Sequence, residues 1–286
     1  MNFWVIQTLG ALSLGMLLFV LAAGLSMIFG LMRIINVAHG SFYMLGAYIG
    51  LETIKWVDSF VLAIVVAAVF GALFGALIQK AFMEHLVGHS LRQILLTFGF
   101  LLVFSDITLI IWHGAPVIIP APTALEGSLR FGNIRFPIYR LFVIAIGLAL
   151  AVVLDLLQKR TRIGAMVRAG ADDIEMLGCM GYNVPLLFVG VFAFGTMLAT
   201  VGGVLGGVFL GVYPGIDLEV CILAFVVVIV GGLGSIRGTL VASLLVAAID
   251  NLSKALIPEL SMFAIFMLMV VVLALKPRGL FGQRSA

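Results

Sequence analysis

Charge is what this chain has least of. Acidic and basic residues fill only 10% of its 286 positions, 63% are hydrophobic, and the mean hydropathy is +1.28. A soluble domain carries about 25% charged residues. A chain this apolar cannot wet its own surface and reads as an integral membrane protein in a lipid bilayer. The two cysteines, Cys179 and Cys221, are not in a C-x-x-C arrangement, which argues against a disulfide framework or a zinc site. No G-x-x-x-x-G-K-[ST] is present, so the chain holds no ATP through a P-loop, and no H-E-x-x-H or G-x-S-x-G supports a hydrolase. His85 and His89 lie four apart beside Glu84, but no third and fourth ligands are in view for a metal. No catalytic residue, metal or cofactor is expected. The scattered arginines make neither a voltage sensor nor a nucleic-acid footprint.

What the chain does have is long apolar runs. Nine lie near 5–30, 34–51, 60–79, 93–112, 137–157, 184–210, 220–234, 238–252 and 261–275. Lipid offers no partner to open backbone groups, so spans are helices or a closed barrel. Barrel strands alternate apolar and polar residues; these runs do not, and the expectation is an all-α, polytopic transmembrane bundle of eight or nine spans in a single domain, 1–286. The 220–234 and 238–252 runs, joined by "GGLGSIRG", read as two short crossings or one re-entrant hairpin. The N-terminal run reads as a span that stays, not a removed signal peptide.

Bases set the orientation. If the loop 158–183 is cytoplasmic, only Lys55, Arg130, Arg135, Arg140 and Lys254 fall on the other side. That bias puts the N-terminus outside and the C-terminus inside. An eight-span alternative has both ends inside.

Glycine is abundant, at 33 residues, and forms G-x-x-x-G pairs such as Gly46/Gly50, Gly71/Gly75, Gly202/Gly206 and Gly203/Gly207. Small residues four apart let helix backbones approach closely. In "MRIINVAHGSFYMLGAYIG", Asn36 and His39 are three apart, which places them on one helix face, with a bend or opening at Gly40. Two roles fit the pair: an interhelical hydrogen bond, or a broken helix beside a translocation path. A proton relay needs a series of ionisable groups, and only Asp106 and Asp250 stand out at comparable depth. Gly238-Thr239-Leu240 weakly echoes Gly40-Ser41-Phe42. In the polar connection 158–185, Ile163, Met166, Val167, Ile174, Leu177 and Met180 have helical spacing. They predict a short helix, either a membrane-surface element or a dock for a cytoplasmic partner.

Four ordered motifs carry a resemblance that runs nearly end to end: "GLMRIINVAHGSFYMLGAYIG", "TRIGAMVRAGADDIEMLGCMGYN", "VVIVGGLGSIRGTLVASLLV" and "LKPRGLFG". The chain resembles the permease subunit, H-type half, of bacterial branched-chain amino acid ABC importers. It departs in lacking a tyrosine-arginine-proline run after the third span and in having Asp250 where glutamate is common. The resemblance implies a non-enzymatic subunit of the bacterial inner membrane. It would pair with a second homologous permease subunit, two cytoplasmic P-loop ATPase subunits and a periplasmic solute-binding protein. It makes 158–183 the coupling segment, with Arg168, Asp172, Asp173, Met176 and Gly181 at the ATPase contact. It also implies a branched-chain amino acid as substrate. The alternatives are a related permease for urea, short amides or aromatic acids, and an ion-driven secondary transporter.

Overall fold

The computed structural model describes residues 2–131 and 134–282. Eleven helices appear among them: α1 (Asn2–Met32), α2 (His39–Val57), α3 (Phe60–Ile78), α4 (Ser90–Trp112), α5 (Ile138–Arg160), α6 (Arg162–Asp172), α7 (Ile174–Cys179), α8 (Val184–Phe209), α9 (Ile216–Gly231), α10 (Ile236–Leu256) and α11 (Ser261–Leu275). A small hairpin, β1 (Ser128–Phe131) and β2 (Ile134–Pro137), precedes α5. Polar residues start several helices by accepting a free backbone N–H: Ser59 from Leu62, Asn183 from Leu186 and Ser235 from Gly238, at 3.3, 3.0 and 3.1 Å.

Seven helices among the described residues are long and apolar enough to cross a membrane. The expected eight or nine included α2 and α9, which fall short for different reasons. α2 carries Glu52 and Lys55, and five residues of its apolar run, 34–38, are not helical. α9 has 16 residues, a rise of about 24 Å against a hydrocarbon core of about 30 Å. Neither depends on lipid, because both are packed inside the bundle. α2 lies against α3, α8 and α9, and α9 against α10, α2 and α1. At the centre, 83% of the apolar window of α1 is buried, against 11% for α11 on the periphery.

Close glycine seams make this nesting feasible. A side chain at Gly24 would strike the backbone of Gly195, and one at Gly46 the backbone of Thr200. One at Gly203 would strike the Tyr43 carbonyl, one at Gly206 the Tyr43 hydroxyl, and one at Gly207 the end of Ile119. Gly202, in the same run, has 3.6 Å to its nearest neighbour, Val20, and is ordinary contact. Phe42 of α2 fills the space between α3, α4 and α8 edge-on to Phe74, Phe104 and Phe192, with ring centroids 6.1–6.3 Å apart.

The two ends of the bundle differ. At one, Arg33 donates to the Ala171 carbonyl at 3.2 Å, Gly30 meets Gly234, and the amides of Leu280 and Phe281 donate to the carbonyls of Val230 and Gly231 at 2.8 and 3.0 Å. The expected closing motif "LKPRGLFG" thus pins the end of α9. Arg237 joins this end through Asp155, at 2.8 Å. At the other end sit the hairpin, Arg140, Lys254 and the Asn251 amide, which donates to the Gln7 carbonyl at 2.7 Å. Arg284 lies outside the described residues.

Gly203→Ala should lose about 1–3 kcal/mol through overpacking against α2. Gly202→Ala should be neutral or gain up to about 1 kcal/mol of helix propensity. Thermal unfolding of the two variants in detergent measures the difference, and equal melting temperatures would rule out the α2–α8 seam.

Candidate functional site

The stretch around Asn36 and His39 is a break in the helix, placed differently from the sequence expectation. α1 stops at Met32, Arg33 takes the left-handed conformation (φ 54°), and 34–38 are non-helical. α2 begins only at His39. Asn36 therefore lies in the linker, not on a shared helix face, and Gly40 is not the opening. Gly40 is instead a point of contact: a side chain there would strike the Asp217 carbonyl of α9.

The linker climbs back into the bundle. His39 Nε2 lies 3.1 Å from the Leu21 carbonyl, a point about 18 Å up α1 from Arg33 at 1.5 Å per residue. Six residues span at most about 20 Å, and His39, at 0% exposure, starts α2 inside the bundle. Non-helical backbone at membrane depth survives only where protein satisfies it. Here the Val37 amide donates to Thr97 Oγ1 of α4 at 3.2 Å, and the Val37 carbonyl accepts from Cys221 of α9 at 3.1 Å. The Thr97 hydroxyl in turn faces the carbonyls of Ile94 and Ile35, at 3.1 and 3.4 Å.

Two helix N-termini converge on this break. Asp217, in the first turn of α9, is fully buried and accepts from the Ser41 hydroxyl, in the first turn of α2, at 3.1 Å. Both helices begin beside this side chain, α9 contributing the carboxylate and α2 its hydroxyl donor. Asp217 makes no ion pair among the described residues. The Leu21 carbonyl only accepts, so Nε2 of His39 carries the proton and Nδ1 of the neutral ring is an acceptor. That Nδ1, both amide atoms of Asn36 and the Tyr43 hydroxyl are buried with no hydrogen-bond partner among the described residues. The break and the first two turns of α2 thus carry buried polar groups with spare hydrogen-bonding capacity.

Sequence reasoning singled out Asn36, His39 and Gly40 but missed Ser41, Thr97 and Asp217. Asp217 follows the turn "YPG", where an acid opening a helix is unremarkable. Of the two acids it did note, Asp106 faces outward from α4 and Asp250 is paired with Lys254 at 2.7 Å.

The connection after α5 forms two helices rather than one. Asp173 separates them, because its carboxylate accepts from the Met176 amide at 2.9 Å and starts α7. Val167 and Leu177 are buried, and Gly170 abuts Leu31 of α1. Arg168, Asp172, Asp173, Met176 and Gly181 are all exposed, together with Ile163 and Met180. The face is therefore an exposed mixed charged and apolar platform, held to the end of α1.

Residues 7–275 match the family described as branched-chain amino acid transport system / permease component. The chain belongs to that family. It is a family of membrane transport proteins, not of enzymes. The chain is 26% identical to the high-affinity branched-chain amino acid transport system permease protein BraD of Pseudomonas aeruginosa, over 97% of this chain and 95% of that protein. It is 27% identical to LivH of Escherichia coli K12 and 25% identical to LivH of Salmonella typhimurium, over the same shares of each chain. Both are likewise high-affinity branched-chain amino acid transport system permease proteins. No solved structure matches the chain.

For the permease, the break is a testable structural unit. Thr97→Val keeps the shape but strips the acceptor from the Val37 amide, an expected loss of about 1–3 kcal/mol. Thr97→Ser keeps the hydroxyl and should lose less. Amide exchange at Val37 reads the effect directly, and unchanged protection in Thr97→Val would disprove the bond's role.

Proposed function

We propose that this chain is the membrane-spanning permease subunit of an ATP-driven importer, lining the path for branched-chain amino acids delivered by a periplasmic binding protein. ATP hydrolysis belongs to two separate cytoplasmic subunits, and a second homologous permease completes the path. The observation that carries the reading is the match to branched-chain amino acid permeases over 97% of the chain.

The geometry supports it in three ways. The bases crowd one end, so that end is cytoplasmic and the hairpin end periplasmic, with the N-terminus outside and the C-terminus inside. The exposed α6–α7 platform on the cytoplasmic end is the coupling segment. Arg168, Asp172 and Asp173 give it register by charge, and Met176 gives it apolar area. Gly181, at φ +84°, closes the turn beside it.

The platform is also connected to the polar break. Gly170 bears on Leu31, Arg33 holds Ala171, and α1 carries the connection to Leu21, on which His39 rests. A rigid shift of α6 on closure of the ATPase dimer thus reaches the start of α2. Asn36, His39, Gly40 and Asp217 flank the path, in the manner of interrupted transporter helices whose N-termini face the substrate.

Reversing the platform charges with Arg168→Glu and Asp172→Arg leaves the Asp173 cap intact. In proteoliposomes with the partner subunits, ATP-driven leucine uptake should fall about tenfold or more, within the usual range of coupling energies. Uptake of leucine by the chain alone, without ATP or an ATPase subunit, would overturn the importer reading.

A further inference from the structure

A cavity of about 300 Å³ opens toward the hairpin end, between α1, the start of α5, the α8–α9 turn and the end of α10. Its size is at the low end for small-molecule sites, which run about 300–1,000 Å³. One wall is aliphatic: Leu14, Leu17, Leu18 and Leu21 recur at helical spacing along α1. The facing wall carries Arg140, Glu219, Asp250 and Lys254.

These charges are arranged with spare capacity. Arg140 is half-buried and makes no ion pair among the described residues, and its guanidinium lies 4.4 Å over the Phe209 ring. Stacking on a ring fixes the plane of a guanidinium and leaves its forked donors free for a carboxylate. Asp250 is nearly buried, and the exposed Lys254 engages its Oδ2 at 2.7 Å. Glu219 accepts from the Tyr213 hydroxyl through Oε2, at 2.8 Å. Each carboxylate keeps its other oxygen open to a donor.

The wall holds two cations and two anions, so a monovalent ion would unbalance it, whereas a neutral dipolar molecule would not. A buried hydroxyl without a partner, that of Tyr43, belongs to the lining as well. The inner end of the cavity approaches the break through α1: Leu21 lines the cavity and its carbonyl meets His39.

The geometry points to this cavity as a binding site for a zwitterionic aliphatic α-amino acid. Arg140 takes the carboxylate, Asp250 and Glu219 take the ammonium, and the α1 leucines take the side chain. The assignment rests on the importer reading for its place on the route: an outer station, above the break, within one permease subunit.

The test is saturation-transfer NMR on the full chain in nanodiscs of phosphatidylglycerol, where no zwitterionic lipid head competes. The probes are L-leucine, leucinol, which lacks the carboxylate, and 4-methylpentanoate, which lacks the amine. The wild type should bind leucine about tenfold or more tighter than either analogue. Arg140→Gln should weaken leucine and 4-methylpentanoate by about tenfold and leave leucinol unchanged. Asp250→Asn should weaken leucine and leucinol and leave 4-methylpentanoate unchanged. Arg140→Lys, which keeps the charge, should retain part of the carboxylate preference and serves if Arg140→Gln does not fold. Equal losses for both analogues, or no preference for leucine in the wild type, overturn the site. In the reconstituted importer, ATP-driven leucine uptake with a KM unmoved by Arg140→Gln overturns the site but leaves the importer standing. The analogue pattern without ATP-driven leucine uptake supports the site and overturns the importer reading instead.

Discussion

A chain that leaves the helix inside a bilayer has to find protein partners for every backbone group it frees. Residues 33–38 impose that constraint here, and much of the architecture answers to it. Thr97 from α4 and Cys221 from α9 supply the side chains that satisfy Val37 on both faces. Both helices must therefore stand beside the linker, although they lie 60 and 184 residues away in sequence. α2 can then begin in the interior, and its free N-terminus needs an acceptor nearby. The first amides of α2 turn back to the Asn36 and Ala38 carbonyls, and Asp217, buried at the start of α9, accepts from the Ser41 hydroxyl.

Two short helices nested in this way would leave gaps if ordinary helix spacing applied. α8 closes them. Its small residues bring backbones into contact with α1 at Gly195 and with α2 at Gly203, admit the Tyr43 ring at Gly206, and meet α3 through the Thr196 and Thr200 side chains. The Thr196 hydroxyl reaches the Gly71 carbonyl of α3 at 2.8 Å, a polar contact across helices where the alternative partner would be hydrocarbon. Packing of this kind needs shape rather than a hydrophobic drive, since lipid is as apolar as leucine. That is why glycine is dense in α8 while the outward faces of α3, α5 and α11 carry bulky aliphatics.

The long spans were legible because each writes its own signal: about twenty apolar residues bounded by polar ones. The glycine pairs were legible for the same local reason. The position of the break was not. Ile34, Ile35, Val37 and Ala38 are as apolar as any helix interior, and what holds them out of the helix is the set of partners on α4 and α9. Nothing near Asn36 in sequence announces those partners. Asp217 was hidden by looking ordinary, as an acid opening a helix. Arg140 was weighed only as one positive charge in a count of loop bases, and its place over Phe209 depends on the α8–α9 turn folding back. The split of α6 from α7 was closer to hand: an aspartate such as Asp173 ahead of Ile174, Met176 and Leu177 is a helix-start signal, but apolar periodicity on both sides concealed it.

The break also separates two mechanical roles that one continuous helix would merge. α1 is 31 residues long, about 46 Å, and is held at one end by α6 and along its length by α8 and α10. It is the stiff member. The linker runs beside it, roughly from Arg33 to the level of Leu21, and its helix-type hydrogen bonds are confined to its two ends, from Arg33 back to Phe29 and from His39, Ser41 and Phe42 back to Asn36 and Ala38. Rotation of a few backbone dihedrals between 33 and 38 can shift α2 against α1 while both remain intact helices. In the importer reading, this is where rigid-body motion from the platform becomes a change in the path. The unpaired groups of Asn36 and His39 lie at that joint, and that of Tyr43 one turn further along α2. Polar groups left unsatisfied at a compliant point are more easily offered to a passing solute than groups locked into a rigid network. The cluster is thus better suited to transient contact than to tight retention.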